Sequence, residues 1–195
     1  MSEHPPIGKE NTCPRLLIIG AGARGNAYAR AVTESTNGTI AAVAEPIAYK
    51  RETLWKKYIR DDSEPTQGQL FTGWEEFYEH ECRRRESAKA GQDVPPGVDG
   101  VFICTLDETH AEIIAGLAPL GLAVMSEKPL ATSWEDCLKI CQCLEAVKPR
   151  SIFAIGHVRG HIQQVLDIIL KLNEVRFYDT LRTICFSEGC YWKKT

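Results

Sequence analysis

The chain lacks the features that define several large classes of protein. Its 195 residues contain no run of about 18 apolar residues that could cross a membrane. The first ten residues contain no apolar core of the kind found in a signal peptide. Basic residues are not in excess, with 23 Lys and Arg against 26 Asp and Glu, so no basic surface indicates nucleic acid or membrane binding. These absences predict a cytoplasmic protein that acts on small molecules.

The sequence also lacks a Cys-x-x-Cys pair, although it contains 8 cysteines. Without an export signal, free thiols are expected rather than disulfides. Cys137, Cys141 and Cys143 lie close together, but a metal site would need further ligands on the same helix face. We therefore expect no metal, and we interpret Cys137 and Cys141 as buried side chains on one apolar stripe with Trp134 and Leu138.

Apolar segments alternate with amphipathic ones along the chain. Strands are expected at 15–20, 39–44, 69–72, 99–105, 122–126 and 151–156. Helices are expected near 23–34, 47–59, 108–119 and 133–147, with an amphipathic charged segment from 74 to 86. This alternation predicts an α/β fold with a doubly wound parallel sheet. Ligands of such sheets bind beyond the carboxyl ends of the strands.

A glycine-rich motif follows the first predicted strand. The motif is Gly20-Ala21-Gly22-Ala23-Arg24-Gly25, with the Gly-x-Gly-x-x-Gly spacing of a dinucleotide-binding turn. Gly20 would allow the tight turn, Gly22 would let phosphates approach the backbone, and Gly25 would let the helix pack closely on its strand. The helix N-terminus would then offer free N–H groups to the anion. The alternative is a glycine-rich turn with no ligand.

Glu45 ends the second predicted strand, where an acidic residue commonly binds the adenosine ribose 2′-hydroxyl of a dinucleotide. Its carboxylate would repel a 2′-phosphate, so the sequence favours NAD. Lys50 and Arg51 lie near enough in sequence to leave NADP open. The alternative for Glu45 is an ordinary carboxylate at the end of a strand.

The segment Glu127-Lys128-Pro129 lies where the fifth predicted strand ends. A partly desolvated lysine beside a cofactor can have a lowered pKa and exchange a proton with a substrate hydroxyl while hydride moves the other way. Lys128 is therefore the candidate catalytic residue. The alternative is that Glu127 and Lys128 are solvated turn residues.

Five short segments occur together in the order and spacing of one known family. They are residues 20–25, 43–46, 104–110, 126–132 and 155–157. From about residue 15 to 158 the chain resembles the cofactor-binding half of the glucose–fructose oxidoreductase, inositol dehydrogenase and rhizopine-catabolism (Gfo/Idh/MocA) family. The resemblance implies a nicotinamide-dependent oxidoreductase of sugars or polyols, with a Rossmann domain followed by a domain built on an antiparallel sheet.

The same resemblance assigns roles to individual residues. It implies that Lys128 is the acid/base residue and that Glu127 binds the cofactor. Thr105, Leu106, His110 and His157 would also belong to the cofactor site. Leu106 stands where the family commonly has proline. The alternative for His110 is a helix cap or a surface histidine.

The domain organisation follows from the extent of the resemblance. Residues 1–14 are expected to form a flexible lead-in, 15–158 the dinucleotide-binding domain, and 159–195 a tail outside the family pattern with one helix. No substrate domain is recognised, so we expect a truncated chain of doubtful activity that self-associates through uncovered apolar surface. A sugar or polyol substrate is expected only in a full-length form. The alternative function is a non-catalytic, dinucleotide-dependent sensor of the same fold.

Overall fold

The computed structural model describes residues 13–60, 64–147 and 153–156, and its centre is a six-stranded sheet with all neighbouring strands parallel. The strands are β1 (Arg15–Ile19), β2 (Thr39–Ala44), β3 (Leu70–Phe71), β4 (Gly100–Ile103), β5 (Ala123–Glu127) and β6 (Phe153–Gly156). Their spatial order is β3-β2-β1-β4-β5-β6. The helices are α1 (Ala23–Ser35), α2 (Ala48–Tyr58), α3 (Trp74–Lys89), α4 (His110–Leu117) and α5 (Trp134–Ala146).

After Arg15, the central strand β1 is apolar, and it is buried on both faces. Leu16 and Ile18 pack in one core with α1 and α2, whereas Leu17 and Ile19 pack in a second core with α3, α4 and α5. All four side chains are at most 3% exposed. A strand covered on both faces needs a continuous apolar run rather than alternation. The predicted doubly wound parallel sheet is confirmed.

The predicted ends of β1 and β3 are each one residue too late, and those of β4 and β5 are also wrong. β4 ends at Ile103, not at residue 105. The Cys104 N–H still donates to the Ile19 carbonyl at 2.8 Å, but β1 then turns away at Gly20, so the next residues have no strand to pair with. β5 instead continues to Glu127, because that residue pairs with Gly156 of β6.

The face of α5 was also predicted incorrectly. Trp134 is 53% exposed and Leu138 is 42% exposed, and Cys141 is exposed on the same side. The inner side carries Ile140, the one buried residue of the helix, with Cys137 half-buried one turn before it. The helix has apolar residues on two sides, so periodicity did not identify the side that meets the sheet.

Among the described residues, no group of three or more His, Cys, Asp and Glu side chains is placed so that it could hold a metal ion.

The helix α3 carries a buried ion cluster. Glu81 is 2% exposed and accepts hydrogen bonds from Arg84 Nε and Nη2 and from Arg85 Nε, each at 2.7 Å. Arg84 Nη1 also lies 3.4 Å from the Pro95 carbonyl, which connects the loop after α3 to the helix.

Within the described ranges, no helix has the length and apolar character needed to span a membrane.

Replacing Glu81 with glutamine is expected to reduce stability at neutral pH and to have little effect in acid. Burial would raise the pKa of Glu81, but the hydrogen bonds from Arg84 and Arg85 outweigh it and lower the pKa. Such a carboxylate stabilises the fold above its unfolded pKa and loses that contribution as the pH falls through its folded pKa. Because the arginines are partly exposed, we expect Glu81→Gln to cost about 1–3 kcal/mol at pH 7.

Urea unfolding of both proteins at pH 7 and near pH 3 measures this effect. The difference in unfolding free energy should shrink at the lower pH, because this carboxyl is then protonated in the unfolded chain and part of the stabilisation from its lowered folded pKa is lost. An equal difference at both pH values would contradict the role of the Glu81 charge.

Candidate functional site

The carboxyl ends of four strands bring the predicted site residues to one edge of the sheet. The glycine motif follows β1, Glu45 follows β2, Thr105 and Leu106 follow β4, and Glu127 ends β5. β1 and β4 are neighbours, and the chain leaves β1 for α1 on one face of the sheet but leaves β4 for α4 on the other face. This is the topological switch point, where a crevice forms between diverging loops.

The three glycines of the motif serve different purposes. Gly20 has a φ of +93°, and a Cβ there would lie 2.6 Å from the Cys104 carbonyl oxygen. A Cβ on Gly25 would lie 2.0 Å from the Gly20 carbonyl oxygen, so only glycine lets α1 begin so close to β1. At Gly22, by contrast, no atom lies within 4 Å of the Cβ position. Gly20 and Gly25 are needed for packing within the protein, while Gly22 borders open space.

The N-terminus of α1 presents its N–H groups to that open space. The N-cap residue Gly22 has no side chain to accept a hydrogen bond, and the first turn contains no acidic residue. The Asn26 side-chain amide donates to the carbonyls of Ala21 and Gly22 at 3.1 and 3.0 Å, which holds the turn in shape. Unsatisfied N–H groups at the positive end of a helix form an anion-binding site.

Glu45 is built into the crevice beside this turn. It is only 6% exposed, its Oε2 accepts a hydrogen bond from the Ala21 N–H at 2.8 Å, and its Oε1 accepts one from the Ile47 N–H at 3.0 Å. Arg51 donates to the backbone carbonyl of Glu45. Each carboxylate oxygen keeps a further acceptor position. Glu45 therefore fixes the glycine turn against β2 and can still accept hydroxyl hydrogen bonds.

Glu127 is held from two sides. The Tyr28 hydroxyl donates to Glu127 Oε1 at 2.5 Å, and Arg24 Nε lies 3.8 Å from the same oxygen. The backbone N–H of Lys128 donates to Glu127 Oε2 at 3.3 Å. Burial, followed by the hydrogen bond to Glu127, raises the pKa of Tyr28, so its hydroxyl remains a donor. The carboxylate links α1, which carries the anion site, to the backbone of Lys128.

Tyr28 was not identified from the sequence. Its ring stacks on Phe102 with centroids 5.1 Å apart and planes 5° apart. A Cβ on Gly156 would lie 2.6 Å from the Tyr28 hydroxyl oxygen, so β6 packs closely against Tyr28. One signal was available, because Tyr28 shares the buried face of α1 with Gly25, Ala29 and Val32 and is its one polar side chain.

The remaining predicted residues occupy different environments. Lys128 is exposed, so the described residues do not provide the partial desolvation that was predicted for it. Leu106 is 68% exposed, and the half-buried Thr105 hydroxyl lies 2.8 Å from the Thr109 hydroxyl. His110 is fully buried, so the surface alternative for it is wrong. His157 lies outside the described residues.

Cys104 is half-buried directly after β4. Burial, with a further contribution from the Glu127 carboxylate, raises the pKa of the Cys104 thiol. The thiol is therefore neutral at pH 7 and is a poor nucleophile.

Comparisons with known proteins agree with this geometry. The family model GFO_IDH_MocA, described as "Oxidoreductase family, NAD-binding Rossmann fold", matches residues 15–154. The rhizopine catabolism protein MocA of Rhizobium meliloti is 33% identical over 151 residues, which cover 77% of this chain and 39% of that protein. Inositol 2-dehydrogenase of Rhizobium meliloti strain 1021 is 29% identical over 133 residues, or 68% of this chain and 32% of that protein. The chain thus spans about two fifths or less of the length of these relatives.

Solved structures share the same fold. The myo-inositol dehydrogenase from Lactobacillus casei, solved in complex with NAD(H) and myo-inositol, superposes with a TM-score of 0.60 at 18% identity. The match covers 76% of this chain and 38% of that one. The chain accordingly belongs to the GFO_IDH_MocA oxidoreductase family, and residues 15–154 correspond to its NAD-binding Rossmann domain.

Proposed function

We propose that this chain binds NAD(H) in the crevice at the carboxyl edge of the sheet. The pyrophosphate would bind the N–H groups at the start of α1, and the adenosine ribose would bind the Glu45 carboxylate. The observation that carries the proposal is the open space at Gly22 beside a carboxylate that is only 6% exposed. A turn that serves only as a chain reversal has no need of either feature.

Two exposed apolar residues fit the same proposal. Ile47 is 50% exposed and follows β2, while Leu106 is 68% exposed and follows β4. β2 and β4 flank β1, so these side chains stand on opposite sides of the crevice. Ligand sites combine apolar walls with a few fixed polar groups. Ile47 and Leu106 would hold the flat faces of the adenine ring.

Lys128 is the proposed proton-transfer residue. A bound nicotinamide ring supplies the hydride acceptor or donor. Lys128 would exchange a proton with the substrate hydroxyl, and Glu127 would hold the Lys128 backbone through its N–H group. The substrate class we propose is a polyhydroxylated alcohol, in keeping with the inositol dehydrogenases among the relatives. Because Lys128 is exposed, the described residues do not by themselves hold a substrate against it or exclude water from it.

We expect NADH to bind this chain at least about tenfold more tightly than NADPH, because the 2′-phosphate would face the Glu45 carboxylate. Arg51 could favour NADPH, but its guanidinium donates to the Glu45 and Pro46 carbonyls. Parallel titrations followed by nicotinamide fluorescence measure the ratio.

Two variants test whether the Glu45 carboxylate contributes to NADH binding. Glu45→Gln should lower NADH affinity by about tenfold, since a charged acceptor is lost. Glu34→Gln makes the same chemical change at an exposed position on α1 and should have no effect. Tighter binding of NADPH by the wild-type protein would show that Lys50 or Arg51, and not Glu45, determines the choice of cofactor.

A further inference from the structure

His110 has one hydrogen bond and one unsatisfied nitrogen in a fully buried position. Its Nδ1 lies 2.9 Å from the Pro129 carbonyl oxygen. A carbonyl oxygen only accepts, so Nδ1 must carry a proton. Among the described residues, His110 Nε2 is the one buried side-chain polar atom with no hydrogen-bond partner. Buried polar atoms without partners are uncommon and need an explanation. The one hydrogen bond that the buried imidazole makes is the bond from Nδ1 to Pro129.

This bond joins two loops on the ligand-binding edge of the sheet. His110 begins α4, directly after the loop that leaves β4. That loop is held internally, because the Thr109 hydroxyl lies 2.7 Å from the Leu106 carbonyl and 2.8 Å from the Thr105 hydroxyl. Pro129 belongs to the loop that leaves β5. The hydrogen bond from His110 to Pro129 therefore connects the β4 loop to the β5 loop.

Lys128 lies between two attachment points in the β5 loop. On one side its N–H donates to Glu127 at 3.3 Å, which is long for a hydrogen bond. On the other side the carbonyl of Pro129 accepts from His110 at 2.9 Å. Lys128 and Pro129 are themselves exposed, so packing contributes little to their position. The shorter attachment is the one to His110.

We propose that His110 is a positioning residue for Lys128. Its Nδ1–H group fixes the Pro129 carbonyl, and this holds the backbone of the adjacent Lys128 in place. The role of Lys128 in catalysis rests on the function proposed above. The attachment of the loop to His110 does not, and it can be tested in the cofactor-free chain.

Hydrogen exchange at the backbone amide of Lys128, which donates to Glu127, tests this inference. His110→Leu fills the buried space but removes the donor, whereas His110→Asn keeps an N–H group near the position of Nδ1. We expect the Lys128 amide to exchange about tenfold faster in the leucine variant and within about threefold of wild type in the asparagine variant. His80→Leu, at a partly buried histidine of α3, should leave this amide unchanged.

Three further results separate positioning from a general structural role. Equal effects of leucine and asparagine, together with faster exchange throughout the sheet, would contradict the proposal. A wild-type imidazole protonated on Nε2 and not on Nδ1, read from ¹⁵N chemical shifts, would also overturn it, even if the leucine variant failed to fold. Failure of the wild-type chain to bind NADH would instead refute the proposed function and leave the exchange result intact.

Discussion

Replacement of Gly22 by aspartate is expected to lower NADH affinity more than about 100-fold without destabilising the fold. Gly22 has φ −75° and ψ −163°, a conformation that any residue adopts, and nothing lies within 4 Å of its Cβ position. It is also the N-cap of α1, where aspartate is a preferred residue. The new carboxylate would accept hydrogen bonds from the N–H groups that we propose bind the pyrophosphate, and it would repel the phosphates.

Binding and stability must be measured on the same protein for this prediction to be informative. NADH fluorescence titration should show no saturation at concentrations that fill the wild-type site, while the thermal midpoint stays the same or rises slightly. Gly22→Ala adds a methyl group without charge, so it should weaken binding by less than the aspartate does. Wild-type affinity in Gly22→Asp would mean that the ligand does not contact the start of α1.

Replacement of Gly25 by alanine should have the opposite pattern, with a large loss of stability. Its Cβ would lie 2.0 Å from the Gly20 carbonyl oxygen and 3.0 Å from Ile18 Cγ2. The first contact is with backbone, so α1 would have to move away from β1 and disturb the core that both share. We expect a loss of about 3 kcal/mol or more in unfolding free energy, at the upper end of the range for overpacking.

The matched control is alanine at Gly22, three residues earlier in the same turn. Its Cβ meets no atom, so the change should cost within about 1 kcal/mol. Urea unfolding of the two alanine variants measures the contrast directly. Similar stabilities for Gly22→Ala and Gly25→Ala would contradict the close packing of α1 on β1.

The parts of the fold that depend on local pattern were predictable from the sequence. The apolar run 16–19 requires burial on both faces, and this indicates a parallel sheet covered by helices on each side. The order of the strands along the chain and the glycine turn followed from the same kind of local signal. Glu45 could be placed because the end of a strand and an acidic residue coincide there.

The parts that depend on contacts between distant segments could not be predicted. Tyr28 and Glu127 are 99 positions apart, and His110 and Pro129 are 19 apart, so no local pattern reports either contact. The inner side of α5 was missed for a related reason. Apolar residues lie on both sides of that helix, and the structure buries Ile140 while leaving Trp134 largely exposed. The end of β4 depended on where β1 turns away, which is set by Gly20 and not by the sequence of β4.

Titration of the 195-residue chain with NADH tests the central claim most directly, with nicotinamide fluorescence and thermal unfolding followed on the same samples. The account predicts saturable binding at one site per chain and a thermal midpoint that rises with NADH concentration, since a ligand of the native state stabilises it. A folded chain that shows neither saturation nor a rise in midpoint would contradict the claim that this crevice binds the cofactor.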